Sequence, residues 1–223
     1  MLLEVVALWL GVNLAIRGVL AAQKGLGLHE AVQALVPFLF IYAPVLLCRF
    51  RHVDSYGYRL FIPAFRDRAA WWSALRINGQ LLAVGLLPWL VGYHLYQTRL
   101  FGFHPTWRLP HDLASVVAYH LFFVAIPEEF FYRGYLQTRL NEVFPRKFLL
   151  LGIPFGHTLW IVSLLFAFGH SIVSVQWWHF AIFFPGLLFA IVRERTGDVI
   201  TAAFLHATCN ILVHVLDTLY GIR

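Results

Sequence analysis

Residues 111–136 read HDLASVVAYHLFFVAIPEEFFYRGYL. An α-helix needs about 20 predominantly apolar residues to cross a bilayer, and this stretch supplies them. Its second half also carries Glu128, Glu129 and Arg133. Ionisable side chains at membrane depth are costly and mark function by default. The stretch therefore predicts a buried membrane helix with a working site on it.

The rest of the chain agrees with a membrane setting. Of 223 residues, 60% are hydrophobic and only 13% charged, against about a quarter charged in soluble domains. The mean hydropathy is +0.71. Apolar segments long enough to span lie near 2–22, 31–48, 71–93, 111–136, 149–170, 176–192 and 198–219. The expected fold is all-α: a polytopic transmembrane bundle of about seven spans, with six to eight as the range. Residues 1–110 would supply N-terminal helices and a basic loop at 49–70, and 111–223 the catalytic core of one integrated bundle. Glu4 stands where a signal peptide would carry basic residues, so the first segment reads as a retained span. Cys48 and Cys209 lie in apolar segments and imply neither a disulfide framework nor a zinc cluster.

The formal charge of +6 could suggest nucleic acid, but the loops explain it better. Arg49, Arg51, Arg59, Arg66 and Arg68 share one loop. Arg133, Arg139, Arg146 and Lys147 share a second, and Arg193 and Arg195 a third. The intervening loops are poorer in Lys and Arg. The alternation predicts an N-terminus inside and a C-terminus outside, with no nucleic-acid partner. The 49–70 loop, with Tyr56, Tyr58, Trp71 and Trp72, reads either as an interfacial segment on anionic lipid or as an ordinary cytoplasmic loop.

Three polar pairs fall on three spans. Glu129 and Arg133 are i, i+4 and share a helix face, whereas Glu128 is turned about 100° away. A carboxylate beside an arginine stays ionised, and one without a counter-charge is readier to take a proton. Such split environments give two carboxylates different tasks. Glu128 is the candidate general base, and Glu129 the orienting partner of Arg133. A structural ion pair is the bland alternative. Phe166 and His170 share a face of the fifth span, with Ser163 one turn earlier. His170 is a structural histidine or a group that helps to hold a water. His206 and Asn210 are i, i+4 in the last span, and His214 extends the stripe. They are helix–helix glue or donors to a developing oxyanion. Together the three pairs fit a water-activating hydrolase. No serine elbow, P-loop or paired-histidine metalloprotease motif is present.

The ordered pattern Glu-Glu-x-x-x-Arg, Phe-x-x-x-His and His-x-x-x-Asn resembles the CPBP family, the CAAX proteases and bacteriocin-processing enzymes also called Abi. Here it comprises Glu128, Glu129, Arg133, Phe166, His170, His206 and Asn210, within roughly 111–215. The resemblance implies a glutamate-dependent intramembrane endopeptidase in which Glu128 and His170 activate water and His206 and Asn210 stabilise the oxyanion. Within the family, Phe184-Pro185-Gly186-Leu187-Leu188-Phe189 and Arg193-Glu194-Arg195-Thr196-Gly197 look similar to the myxosortase-like bacterial branch. The implied substrate is a membrane-anchored or lipidated protein with a C-terminal tail or CaaX-like end. The implied place is the bacterial inner membrane, in contact with lipid. No cofactor is implied. A zinc-dependent mechanism is the competitor, although His206 and His214 are i, i+8 and lack the usual close spacing. A proton-coupled transporter and a non-catalytic immunity or scaffold protein are the rival classes. The first would often show repeats or paired broken helices, and the sequence has neither.

Depth sets a condition. Glu128 lies about 13 Å above a boundary near Gln137, whereas His170, counted from Leu149, lies about 30 Å from that face. The two meet only if the fifth span begins later, near Gly156, or is tilted or broken around Gly152, Pro154 and Gly156. Pro127 predicts a kink in the fourth helix.

Overall fold

The computed structural model describes residues 1–53, 67–145, 148–150 and 153–222. Most of the 49–70 loop, including Tyr56, Tyr58, Arg59 and Arg66, lies outside the described residues, as do Arg146, Lys147 and Gly152.

Seven helices make up nearly all of the described chain: α1 (Leu2–Leu26), α2 (Glu30–Phe50), α3 (Arg68–Leu95, continued by a wide turn Tyr96–Leu100), α4 (Leu113–Val143), α5 (His157–Val173), α6 (Phe183–Thr196, entered through a 3₁₀ stretch Trp177–Ile182) and α7 (Ile200–Leu219). Two three-residue strands, β1 (Phe148–Leu150) and β2 (Ile153–Phe155), pair antiparallel ahead of α5. Five helices are long and apolar enough to cross a bilayer: α1, α2, α3, α4 and α7. The chain is an integral membrane protein with an all-α bundle.

The fifth segment departs from the sequence reading. Phe148–Leu150 and Ile153–Phe155 are the paired strands β1 and β2, and helix begins only at His157, after Gly156 in an extended conformation. Short apolar runs do not separate strand from helix by periodicity. Pro154 cannot donate a helical hydrogen bond, and Gly156 carries no helix preference. This late start is one of the two geometries that the depth argument required. At the other end, α4 runs on to Val143 rather than stopping near Gln137. Glu128 is then about 22 Å along the helix from that end, and His170 about 20 Å from the start of α5.

α4 is the central helix. Phe130 through Gln137 are all buried, so no side of this stretch faces lipid. α2 packs on its middle, α7 on its first half, and α5 on its second. α1 presents Val5, Trp9, Val12 and Ile16, a stripe at helical spacing, and all four are buried. α5 lies between α1 and α6, while α3 reaches the bundle chiefly through α7. The outer face of α3 leaves Val84, Leu87 and Val91 exposed. Between α6 and α7 the chain reverses within a few residues. Gly197 adopts φ 73° and its N–H caps Arg193 O, a left-handed close that glycine makes without strain. The Asp198 carboxylate then accepts from the Thr201 N–H at 2.7 Å.

Pro127 acts more subtly than a simple kink. It has no N–H to give, and the turns on both sides widen to π-helical bonding. The Ile126 N–H reaches back five residues to Leu121 O, and the Gln137 N–H five residues to Tyr132 O. Such wide turns recur at functional sites. Glu128 and Glu129 sit between them.

Candidate active site

α4, α5 and α7 bring the three sequence pairs together. Glu129 and Arg133 are both fully buried, with Oε1 accepting from one Arg133 terminal nitrogen at 3.1 Å and Oε2 3.1 Å from Nε. Arg133 donates its other terminal nitrogen to Gly186 O on α6, at 2.7 Å. The guanidinium carbon lies 4.4 Å from the Phe166 ring centre and 5.4 Å from that of Phe189. A buried arginine in this position meets an anion, a carbonyl and two π faces, which together replace water.

Helical spacing pairs Glu129 with Arg133 alone, but the fold adds a second partner. His206 Nδ1 lies 2.9 Å from Glu129 Oε1. An ionised carboxylate only accepts, so Nδ1 carries the proton and the imidazole ring is fixed in orientation. The ring also stacks on Phe189, with centroids 4.9 Å apart and planes 17° apart. In the sequence Phe189 belongs to the stretch 184–189 that resembles the myxosortase-like branch. Its apolar type at a helical position gave no sign that it would back a histidine.

Glu128 is turned into a different environment. His170 Nε2 lies 3.9 Å from Glu128 Oε2, and His206 Nε2 lies 4.0 Å from the same oxygen. That oxygen is buried and makes no hydrogen bond to protein. His170 Nδ1 is 2.8 Å from Phe166 O. A carbonyl cannot donate, so Nδ1 carries a proton there too, leaving Nε2 as an acceptor in the neutral ring. Separations near 4 Å are too long for direct hydrogen bonds but suit a bridging water. Phe166 joins the parts: its ring meets those of His170 at 4.7 Å and His206 at 5.7 Å.

α5 approaches α4 closely at Gly169. A Cβ there would run into the Tyr132 hydroxyl and the Asn13 side chain. Asn13, buried on α1, accepts from Tyr132 at 3.4 Å and donates to Trp9 O at 2.8 Å. The glycine of the Phe-Gly-His run thus lets α5 come near enough for His170 to face Glu128. Asn210 lines the same cavity as Glu128, His170 and His206. Ser163 points elsewhere, donating to Leu159 O at 2.6 Å. His214 meets the His120 ring at 5.6 Å, further along α7. Among the described residues, no three His, Cys, Asp or Glu side chains are arranged as a metal-ligand set.

A polar zipper fastens α4 to α6 beyond the site. Gln137 donates to Ala190 O at 3.0 Å and to Glu194 at 2.8 Å, and Asn141 donates to Glu194 at 2.7 Å. Arg193, read in the sequence as a loop residue, is buried in the last turn of α6 and donates to Thr138 at 2.7 Å.

The family model of type II CAAX prenyl endopeptidase Rce1-like proteins matches residues 110–212. This segment is similar to an Rce1-like domain. It contains all seven residues of the three motifs, Glu128 and the three pairs, and the family it resembles is one of CAAX prenyl endopeptidases. No curated protein and no solved structure matches the chain. The matched segment spans α4 to most of α7, so the helices around Glu128 are the ones it covers.

Proposed function

We propose that the protein is a glutamate-dependent intramembrane endopeptidase cutting a tail of a membrane-anchored or lipidated protein, CaaX-like or a C-terminal sorting tail. One observation carries this reading: a single buried oxygen of Glu128 has two histidine Nε2 atoms about 4 Å away, on two other helices. A water donating one hydrogen to Glu128 and the other to His170 Nε2 keeps a lone pair for the scissile carbonyl. As the C–O bond forms, one water proton passes to Glu128. Collapse breaks the C–N bond, and Glu128 returns that proton to the leaving nitrogen. The products are a carboxylic acid, which ionises, and an amine.

His206 and Asn210 are placed to receive the oxyanion. His206 Nδ1 is engaged by Glu129, so its Nε2 donates only when the ring carries both protons. Glu129 and Arg133 hold that ring in place, and Phe166 and Phe189 pack against it. The resemblance of 184–189 and 193–197 to the myxosortase-like branch favours a bacterial sorting tail as substrate. It also favours the bacterial inner membrane, and the alternation of basic loops favours an N-terminus inside.

Purified protein in detergent, incubated with candidate membrane-anchored tails, should give one internal cut by mass spectrometry, undiminished after exhaustive chelation. Loss of cleavage on chelation, restored by zinc, would transfer water activation to a metal. Absence of any cut in a folded preparation would favour the transporter or scaffold classes. Asn210→Ala should retain slow turnover, about 10²–10³-fold below wild type. Wild-type kcat in that variant would remove Asn210 from the oxyanion site.

A further inference from the structure

Two cavities meet at the proposed water-activating pair. One, of about 500 Å³, lies between α3, α6 and α7 and holds His206 and Asn210. The rest of its wall is largely aliphatic and aromatic, including Leu81, Leu86, Trp89 and Leu188. The other, of about 600 Å³, lies between α1, α2, α4 and the end of α5. It is more polar, with Asn13, Gln33, Ser174 and His179 in its wall. Val124, Glu128 and His170 line both. Among the described residues, Glu30 is the one charged side chain besides Glu128 that lines the second cavity, and no lysine or arginine lines it. Glu30 is exposed, in the first turn of α2, which places it at the mouth.

We infer that the Glu30 cavity is the subsite for the amine side of the scissile bond, and that it selects a cationic group on the departing segment. The inference rests on the proteolytic reading above. A chain crossing the Glu128–His170 pair must put one half in each cavity. The anchored half is apolar and matches the wall formed with α3, where desolvation costs least. The oxyanion donors lie on that side only, so the acyl half belongs there too. The departing half gains an ammonium end and must reach water. The cavity that opens past exposed Glu30 and Gln33 gives it that route. A carboxylate at the mouth with no basic side chain beside it in the wall attracts positive charge and repels negative charge.

The test uses the purified full chain in detergent and substrates with a constant anchored half. The amine-side segment carries lysine, glutamine or glutamate at one scanned position. An exposed charge pair is worth a factor of about two to five, so the wild type should prefer lysine over glutamate by that ratio in kcat/KM. Glu30→Gln should flatten the ratio and Glu30→Lys should invert it. A parallel series varied on the anchored half should show the same ratios in all three proteins. An unchanged lysine-to-glutamate ratio in the Glu30 variants overturns the assignment, and so does an equal shift in the anchored-half series. A second arm needs no turnover. Fluorescein-labelled short peptides with a free amino terminus, and lysine or glutamate in third place, are titrated onto Glu128→Gln with and without Glu30→Lys. Lysine-preferring binding that inverts with Glu30→Lys supports the subsite, and binding indifferent to Glu30 overturns it. If the wild type cuts no substrate, the proteolytic reading falls and the binding arm alone decides what the cavity holds.

Discussion

Glu128→Gln should give a folded protein that does not cleave. The side chains are nearly isosteric, and the buried Glu128 Oε2 makes no hydrogen bond to protein that the amide would lose. The apparent melting temperature in detergent should therefore stay within a degree or two of wild type. Turnover should fall by about 10²–10⁴-fold, the usual worth of a positioned acid–base group. A helix-pairing role predicts the reverse: a lower melt with cleavage retained. Wild-type turnover in purified Glu128→Gln would end the assignment of Glu128 as base. The pairing of unchanged stability with lost turnover is informative because Glu129, one residue away, should behave differently. Its carboxylate is held by Arg133 and His206 together, so removing it disturbs both fold and chemistry.

The sequence revealed the local pairs because helical periodicity places i and i+4 on one face. Glu129 with Arg133, and Phe166 with His170, needed nothing more. Contacts that depend on which helices become neighbours were not readable. His206 pairs with Glu129 across 77 positions, and Gly186 offers its carbonyl to Arg133 across 53. A carbonyl is common to every residue, so no side-chain pattern could announce the second contact. The start of α5 was hidden for a different reason. Phe148-Leu149-Leu150 and Ile153-Pro154-Phe155 are as apolar as any span, and only Pro154 and Gly156 hint at a break. The condition that Glu128 and His170 meet carried more information than hydropathy, since it left either a late start near Gly156 or a tilt or break around Gly152, Pro154 and Gly156. Pro127 announced an irregular helix, but not that wide turns would form on both sides of the glutamates.

The second large effect is on stability. Arg133→Met should lower the apparent melting temperature by roughly 6–20 °C. Breaking one side of a buried ion pair costs about 3–5 kcal/mol, and a chain of this size shifts about 2–4 °C per kcal/mol. The cause is the fully buried Glu129 carboxylate, which would keep only His206 as a partner, with Gly186 O losing its donor as well. Methionine fills much of the arginine volume between Phe166 and Phe189, so a cavity is not the main cost. The double variant Glu129→Gln with Arg133→Met should therefore recover much of the lost stability, because no buried charge is stranded. It should not recover cleavage, because His206 then lacks the anion that orients its ring. A melt of Arg133→Met at the wild-type temperature would contradict the buried pair. A double variant as unstable as the sum of the two single changes would show that packing of the arginine, and not its charge, holds α4 against α6.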